Sequence, residues 1–325
     1  MTDLQTTFAG LSLKNPLIIS SSGLTDSAEK NEKLEAAGAG AIVLKSLFEE
    51  QIMLEADQLR NPSYYAEGSD YLAEYIRNHK LAEYLELIRE SKKVCTIPII
   101  ASINCYTDNE WIDFAQQIEK TGADALEINI LALQTDVQYK YGSFEQRHID
   151  ILKHVKRTIS LPIIMKLGDN LTNPIALIDQ LHANGAAAVV LFNRFYQPDI
   201  NIEKMEQTSN HVFSHPSDLS MPLRWIGIAS SIVKKIDYAA SGGIHSPEDI
   251  VKTLLAGASA VEICSVIYQN TNAFIQEGNR FLENWMQRKG FEQITQFKGK
   301  LNAKETEGIN MWERTQFLKY FSSKQ

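Results

Sequence analysis

Short apolar runs alternate along this chain with stretches in which apolar residues recur at every third or fourth position. Runs of the first kind read as buried strands and those of the second as amphipathic helices. Strands are predicted at Pro16–Ser20, Ala39–Leu44, Pro98–Ile103, the first half of Ala123–Gln134, Ile163–Leu167, Ala186–Asn193, Asp237–Ser241 and Ala260–Cys264. Helices are predicted over Ser27–Ala37, Lys80–Lys92, Phe144–Ile159, Pro174–Ala183, Pro247–Ala256 and Phe274–Lys289. A further helix, capped by Asp108, carries Trp111, Phe114, Ala115 and Ile118 on one face. Ser246 is the expected cap of the helix that opens at Pro247. Phe48–Asn78 and Arg194–Ile228 have no clear period and read as irregular excursions.

Strands alternating with helices in this way predict a (β/α)8 TIM barrel with irregular excursions after strands 2 and 6, in one domain spanning residues 1–325. A doubly wound sheet with appended pieces is the alternative. In a barrel, functional residues gather at the carboxyl ends of the strands. Ser22-Gly23, Lys45-Ser46, Asn129, Lys166, Asn193, Gly242-Gly243 and Cys264-Ser265 all fall at such ends.

Composition narrows the chemistry. The chain has 40 acidic and 32 basic residues, a net charge of −8 that argues against nucleic acid or an anionic membrane as main partner. No apolar run approaches the roughly 20 residues of a membrane span, and MTDLQTTFAG lacks a signal-peptide profile, so a cytoplasmic location is expected. Only Cys95, Cys105 and Cys264 are present, too few and too scattered for a disulfide framework or a cysteine-ligated cluster within the chain. Redox chemistry here requires a bound organic cofactor or a partner, and no metal site is expected.

The polar residues point to a flavin. Gly242-Gly243 and Cys264-Ser265 each lead into a helix and can turn backbone N–H groups toward a phosphate, although a Gly-Gly turn is also an ordinary structural device. Lys166 is suited to the pyrimidine edge of an isoalloxazine, where its charge stabilises the reduced ring; the alternative is a solvated rim lysine. Asn129, polar at the end of an apolar strand, needs a partner, which is either a ligand or neighbouring loop backbone.

The chain resembles the class 1 dihydroorotate dehydrogenases over most of its length. The matching segments are Phe8–Leu17 (FAGLSLKNPL), Ser21–Gly23, Leu44–Ser46, Leu126–Asn129 (LEIN), Met165–Leu167, Asn193, Ser241–Ile244 (SGGI) and Gln287–Leu301. The resemblance implies a barrel that holds FMN and oxidises a CH–CH bond of a small molecule in pyrimidine biosynthesis. It implies that Ser22 and Gly23 lie along the flavin, Lys45 between flavin and substrate, and Ser46, Asn129 and Lys166 beside the ring. Gly242, Gly243, Cys264 and Ser265 would receive the phosphate, and Asn129 and Asn193 would also bind the orotate ring. With Lys45, these two asparagines form the expected catalytic set. The resemblance further implies a homodimer, sometimes joined by an iron–sulfur subunit.

The chain departs from that family at its substrate positions. Where class 1 members continue the fourth strand as N-L-S-C-P-N, this chain has Asn129-Ile130-Leu131-Ala132-Leu133-Gln134, so alanine stands in place of the cysteine base. Asn61-Pro62-Ser63-Tyr64 replaces the asparagine-bearing loop after the second strand, and Pro222–Gly227 replaces a glycine-rich segment. Cys105, Tyr139 and Tyr141 are the candidate substitutes for the base. Two functions remain open: an FMN oxidoreductase acting on dihydroorotate or a relative, and a flavoprotein or partner subunit that does not turn dihydroorotate over.

Overall fold

The computed structural model describes residues 2–48, 66–104, 111–209, 212–304 and 312. Asn61-Pro62-Ser63-Tyr64, Cys105 and the Asp108 cap lie outside the described residues.

Eight parallel strands close into a barrel. They are β3 (Leu17–Ile19), β4 (Ala41–Val43), β6 (Ile99–Asn104), β7 (Ala125–Ile130), β8 (Ile163–Gly168), β9 (Ala188–Asn193), β12 (Asp237–Ser241) and β13 (Ala260–Ile263). Each pairs with the next, β4 with β6, and β13 with β3, which closes the ring. A short β5 (Leu47–Phe48) adds to the carboxyl end of β6. The helices outside are α1 (Ala28–Ala36), α2 (Ala66–Val94), α3 (Trp111–Glu119), α4 (Ser143–Lys156), α5 (Pro174–Ala183), α6 (Ser220–Ile232), α7 (Pro247–Ala256), α8 (Ser265–Asn270) and α9 (Ala273–Lys289). This is the (β/α)8 architecture read from the alternation of patterns.

Strand parity divides the core in two. Leu17, Ile19, Ile42, Leu126, Ile128 and Val189 face outward and pack under the helices. Ile18, Ala41, Val43, Ile100, Ala125, Ile164, Ala188, Val190, Ala239 and Ala260 fill the barrel itself, together with Phe8 and Leu13. Those two belong to the hairpin of β1 (Thr6–Phe8) and β2 (Leu11–Leu13), which the sequence pattern did not reveal. Thr6 Oγ1 donates to the Ser259 carbonyl (2.9 Å) and the Asp237 carboxylate accepts from the Ala9 N–H (3.0 Å), so the hairpin closes the amino end of the barrel. The open end is therefore the carboxyl mouth.

Both excursions contain regular structure. α2 begins at Ala66, well before the expected Lys80. After β9 come an exposed hairpin, β10 (Pro198–Asn201) with β11 (Glu206–Ser209), and then α6. α6 escapes a propensity reading because it holds Pro222 and Gly227. Pro222 falls in the first turn, where its missing N–H breaks no helical bond. Gly227 lies against the Trp312 ring, 3.1 Å from where a Cβ would stand.

Candidate active site

A cavity of about 380 Å3 opens at the carboxyl mouth. Continuing each strand's inward parity upward from the apolar fill shows how it is built. Above Ile18 stands Ser20; above Ile100, Ser102 and then Asn104; above Ala125, Glu127 and then Asn129. Above Ile164 stands Lys166; above Ala239, Ser241; above Ala260, Glu262 and then Cys264. All of these except Ser102 line the cavity, and Ser102 lies directly behind it, bonded to Ser46. The barrel interior thus turns from apolar to polar within one layer.

That polar layer is a connected network. The Lys166 ammonium donates to Glu262 Oε2 (2.6 Å) and to Ser20 Oγ (3.0 Å), and lies 3.7 Å from Glu127 Oε1. Ser102 Oγ donates to Glu127 Oε1 (3.2 Å) and shares a hydrogen bond with Ser46 Oγ (2.8 Å), which in turn meets Ser21 Oγ (2.9 Å). The Tyr84 hydroxyl, reaching in from α2, donates to the Ser102 carbonyl (2.9 Å). Glu127 and Glu262 are 1% and 2% exposed, so Lys166 is a buried cation clamped between acids, not a rim lysine. Burial first, then the repulsion of Glu262, pushes the Glu127 carboxyl up to about 8 against the pull of Lys166. Burial alone would push Lys166 down, but the facing charges of Glu127 and Glu262 hold it above its ordinary value.

One wall is the turn after β12. Gly242 (φ +94°) and Gly243 (φ +75°) both lie in the left-handed region and line the cavity with Cys264 and Ser265. Ser265 Oγ accepts from the Ser214 N–H (3.0 Å), and Ser214 Oγ meets His245 Nε2 (3.0 Å), so the segment before α6 is tied to this wall. Burial pushes the Cys264 thiol up. The adjoining rim, after the neighbouring strand β9, is Phe192–Tyr196. There Arg194 donates to the Val212 carbonyl (2.7 Å) and approaches Asp218 at 4.0 Å.

Of the residues singled out from sequence, Ser46, Asn129, Lys166, Asn193, Gly242, Gly243, Cys264 and Ser265 converge on this cavity. Lys45, Ser22 and Gly23 are not among its lining residues. Lys45 is exposed because β4 ends at Val43, and strand parity no longer carries position 45 inward. Ser22 caps a tight turn, its hydroxyl accepting from the Leu24 N–H (3.2 Å). Ala132 is half-buried behind the cavity, its carbonyl held by Asn170 (2.9 Å), while Leu131 faces in. Tyr139 packs toward Glu145 (3.5 Å) and Tyr141 is 95% exposed, so neither lines the cavity. Glu127, Glu262 and Asn104 carry no role in the sequence reading. The available signal was the same in each case: a polar residue inside an apolar strand, at the parity of the barrel interior.

Among the described residues, no group of three or more His, Cys, Asp or Glu is placed to hold a metal ion, and no helix is long and apolar enough to cross a membrane. A family model described as dihydroorotate dehydrogenase matches residues 3–283. The chain is 26% identical over 307 residues to dihydroorotate dehydrogenase B (NAD(+)), catalytic subunit, of Thermoplasma volcanium, covering 92% of this chain and 98% of that protein. It is 28% identical over 273 residues to the protein so named in Thermoplasma acidophilum, covering 82% and 88%. The value for the Methanocella arvoryzae protein of that name is 28% over 293 residues, covering 87% and 93%. With its barrel and its polar mouth, the chain belongs to the dihydroorotate dehydrogenase family and is an oxidoreductase of the class that acts on CH–CH bonds.

Proposed function

We propose that this protein is an FMN-dependent dehydrogenase that moves hydride between the flavin and dihydroorotate or a related small planar substrate. In this reading the whole chain is one FMN-binding barrel domain and works as a homodimer. The observation that carries the proposal is the convergence of Ser46, Asn129, Lys166, Asn193, Gly242, Gly243, Cys264 and Ser265 on one cavity at the barrel mouth. A volume of about 380 Å3 lies within the range of small-molecule sites, roughly 300–1,000 Å3.

The residues present fit the cofactor. Asn129 Oδ1, Glu127 Oε2 and Glu262 Oε1 are buried atoms without a hydrogen-bond partner among the described residues, and all three residues line the cavity. Buried polar atoms of this kind call for a ligand. Gly242 faces open space, so backbone there is approachable by a phosphate, and Ser265 adds a hydroxyl. Bound FMN supplies an acceptor for hydride taken from a C–H bond. Asn129 and Asn193 orient the planar substrate by amide hydrogen bonds, and Phe192 and Tyr196 restrict water at the rim. Lys166 holds positive charge beneath them, moderated by Glu262. Lys45 is exposed beside the cavity residue Ser46 and completes the catalytic set with Asn129 and Asn193.

A second reading is favoured by one observation: neither Ala132, Tyr139 nor Tyr141 lines the cavity. Loss of the family's cysteine base at position 132 costs about 10²–10⁴-fold in rate unless Cys105, outside the described residues, replaces it, so turnover of dihydroorotate itself is expected to be slow. The test is to identify any nucleotide released from the purified protein and then to titrate the oxidised protein anaerobically with dihydroorotate. Released FMN and slow bleaching support the dehydrogenase. A protein that neither carries nor takes up FMN overturns it, and a flavin that dihydroorotate never bleaches moves the assignment to a flavoprotein acting on something else.

A further inference from the structure

We propose that Glu127, Lys166 and Glu262 form a proton-exchange site in the floor of the cavity: the two carboxyls rest with one proton between them, held on Glu127, and that proton exchanges through the cavity. Charge sets the number of protons. One ammonium and two carboxylates, all buried, would sum to −1, and an uncompensated buried charge is costly enough that a group changes its protonation state instead. One proton brings the sum to zero.

Geometry selects where that proton sits. Lys166 is bonded to Glu262 at 2.6 Å but stands 3.7 Å from Glu127, beyond hydrogen-bond reach. Glu127 Oε2 has no partner among the described residues, while its Oε1 accepts from Ser102. Among the described residues, no other charge competes at this level. β6 and β3 present the hydroxyls of Ser102 and Ser20, and the loop after β4 presents Ser46. From α2 comes the Tyr84 phenol, which burial keeps un-ionised. β13 adds Cys264, whose thiol burial also pushes up. Both residues line the cavity, which gives the proton its route to solvent.

The resting proton does not depend on the flavin reading, whereas one consequence does. An anionic group brought against Lys166 would draw the ammonium from Glu262 and return the floor to a net charge of −1. The carboxyl pair would then take a second proton from solvent through the open mouth.

Infrared spectra of the protein as purified, recorded from about pH 6 to about pH 9, test the site directly, since the ordinary carboxyl is ionised throughout that range. The expected result is one buried protonated carboxyl band that disappears toward the alkaline end and shifts promptly in D2O. Glu127→Gln and Glu262→Gln should each abolish it, because either leaves one acid for one lysine. Lys166→Met should double it. A neutral-pH spectrum without the band, or a band that survives Glu127→Gln, overturns the proposal. In flavin-loaded protein, the pH dependence of the reduction potential should count one more proton per two electrons than in the Glu127→Gln, Glu262→Gln double variant. Equal counts overturn the coupling. Failure to load FMN would count against the dehydrogenase reading, with the infrared result still deciding the site.

Discussion

Gly243 is the residue on which the cavity wall depends most directly. Its φ of +75° already disfavours an L side chain, and a Cβ built there would lie 2.0 Å from the Leu219 nitrogen and 2.6 Å from its Cα. Backbone cannot retreat by that much without moving the segment that precedes α6. Gly242 has φ +94° but open space around its missing Cβ. The two neighbours therefore separate conformational strain from steric overlap. Gly242→Ala is expected to cost about 1–3 kcal/mol from strain alone, and Gly243→Ala more than about 4 kcal/mol. Urea unfolding of the two variants checks the order, and equal losses would remove the close approach from the account. At this scale the sequence was readable wherever a side chain stood at the end of a full-length strand, as with Asn129 and Lys166. Lys45 stands exposed where the strand stops early, outside the cavity lining, and Glu127 and Glu262 were undervalued. A charged residue in an apolar strand reads as an exception until the neighbouring strands show that several such exceptions share one layer.

Elements hold the site through their ends. α7 starts directly after the Gly242–His245 turn, and Asp249 ties the two together. Its carboxylate accepts from the backbone N–H of His245 (3.2 Å) and of Ser246 (2.9 Å), and pairs with Lys252 (2.7 Å). Burial opposes ionisation of this carboxyl, but those bonds outweigh it and hold the group below its ordinary value. A depressed folded value means stability that is present above the ordinary carboxyl range and lost as the solution is acidified through the folded value. Asp249→Ala should cost about 1–2 kcal/mol at neutral pH, with the difference from the parent shrinking in acid. A difference independent of pH would mean that packing, not the charged cap, is what Asp249 supplies. Elements with a long period and a clear stop, such as α5, α7 and α9, were legible in the sequence. α6 was not, since Pro222 and Gly227 mimic loop residues until their positions in the first turn and against Trp312 are known. The hairpins were missed because strands of three or four residues are too short to show a period.

The described residues form a barrel sealed at one end by apolar contact and left polar at the other. Phe8 and Leu13 plug the amino end, alternate strand positions fill the middle, and the acids lie where that fill stops. Placing a carboxyl at that boundary has a consequence for global stability. Glu127 is pushed from an ordinary 4.5 up to about 8 in the folded protein, by burial and then by Glu262. Between those values the folded state holds a proton that the unfolded chain has released, so stability falls as the pH rises through the window. Below it both states are protonated, and above it both are ionised, so the contribution is flat on either side. The slope for one such group cannot exceed about 1.4 kcal/mol per pH unit. Glu127→Gln keeps an oxygen to accept from Ser102 and has no proton to lose. Relative to this variant, the parent protein should therefore lose stability steadily from about pH 5 to about pH 8 and no further beyond it. Urea unfolding of both proteins across that range measures the difference, and a constant offset would show that Glu127 is ionised in the folded protein throughout, with Lys166 shared between both acids.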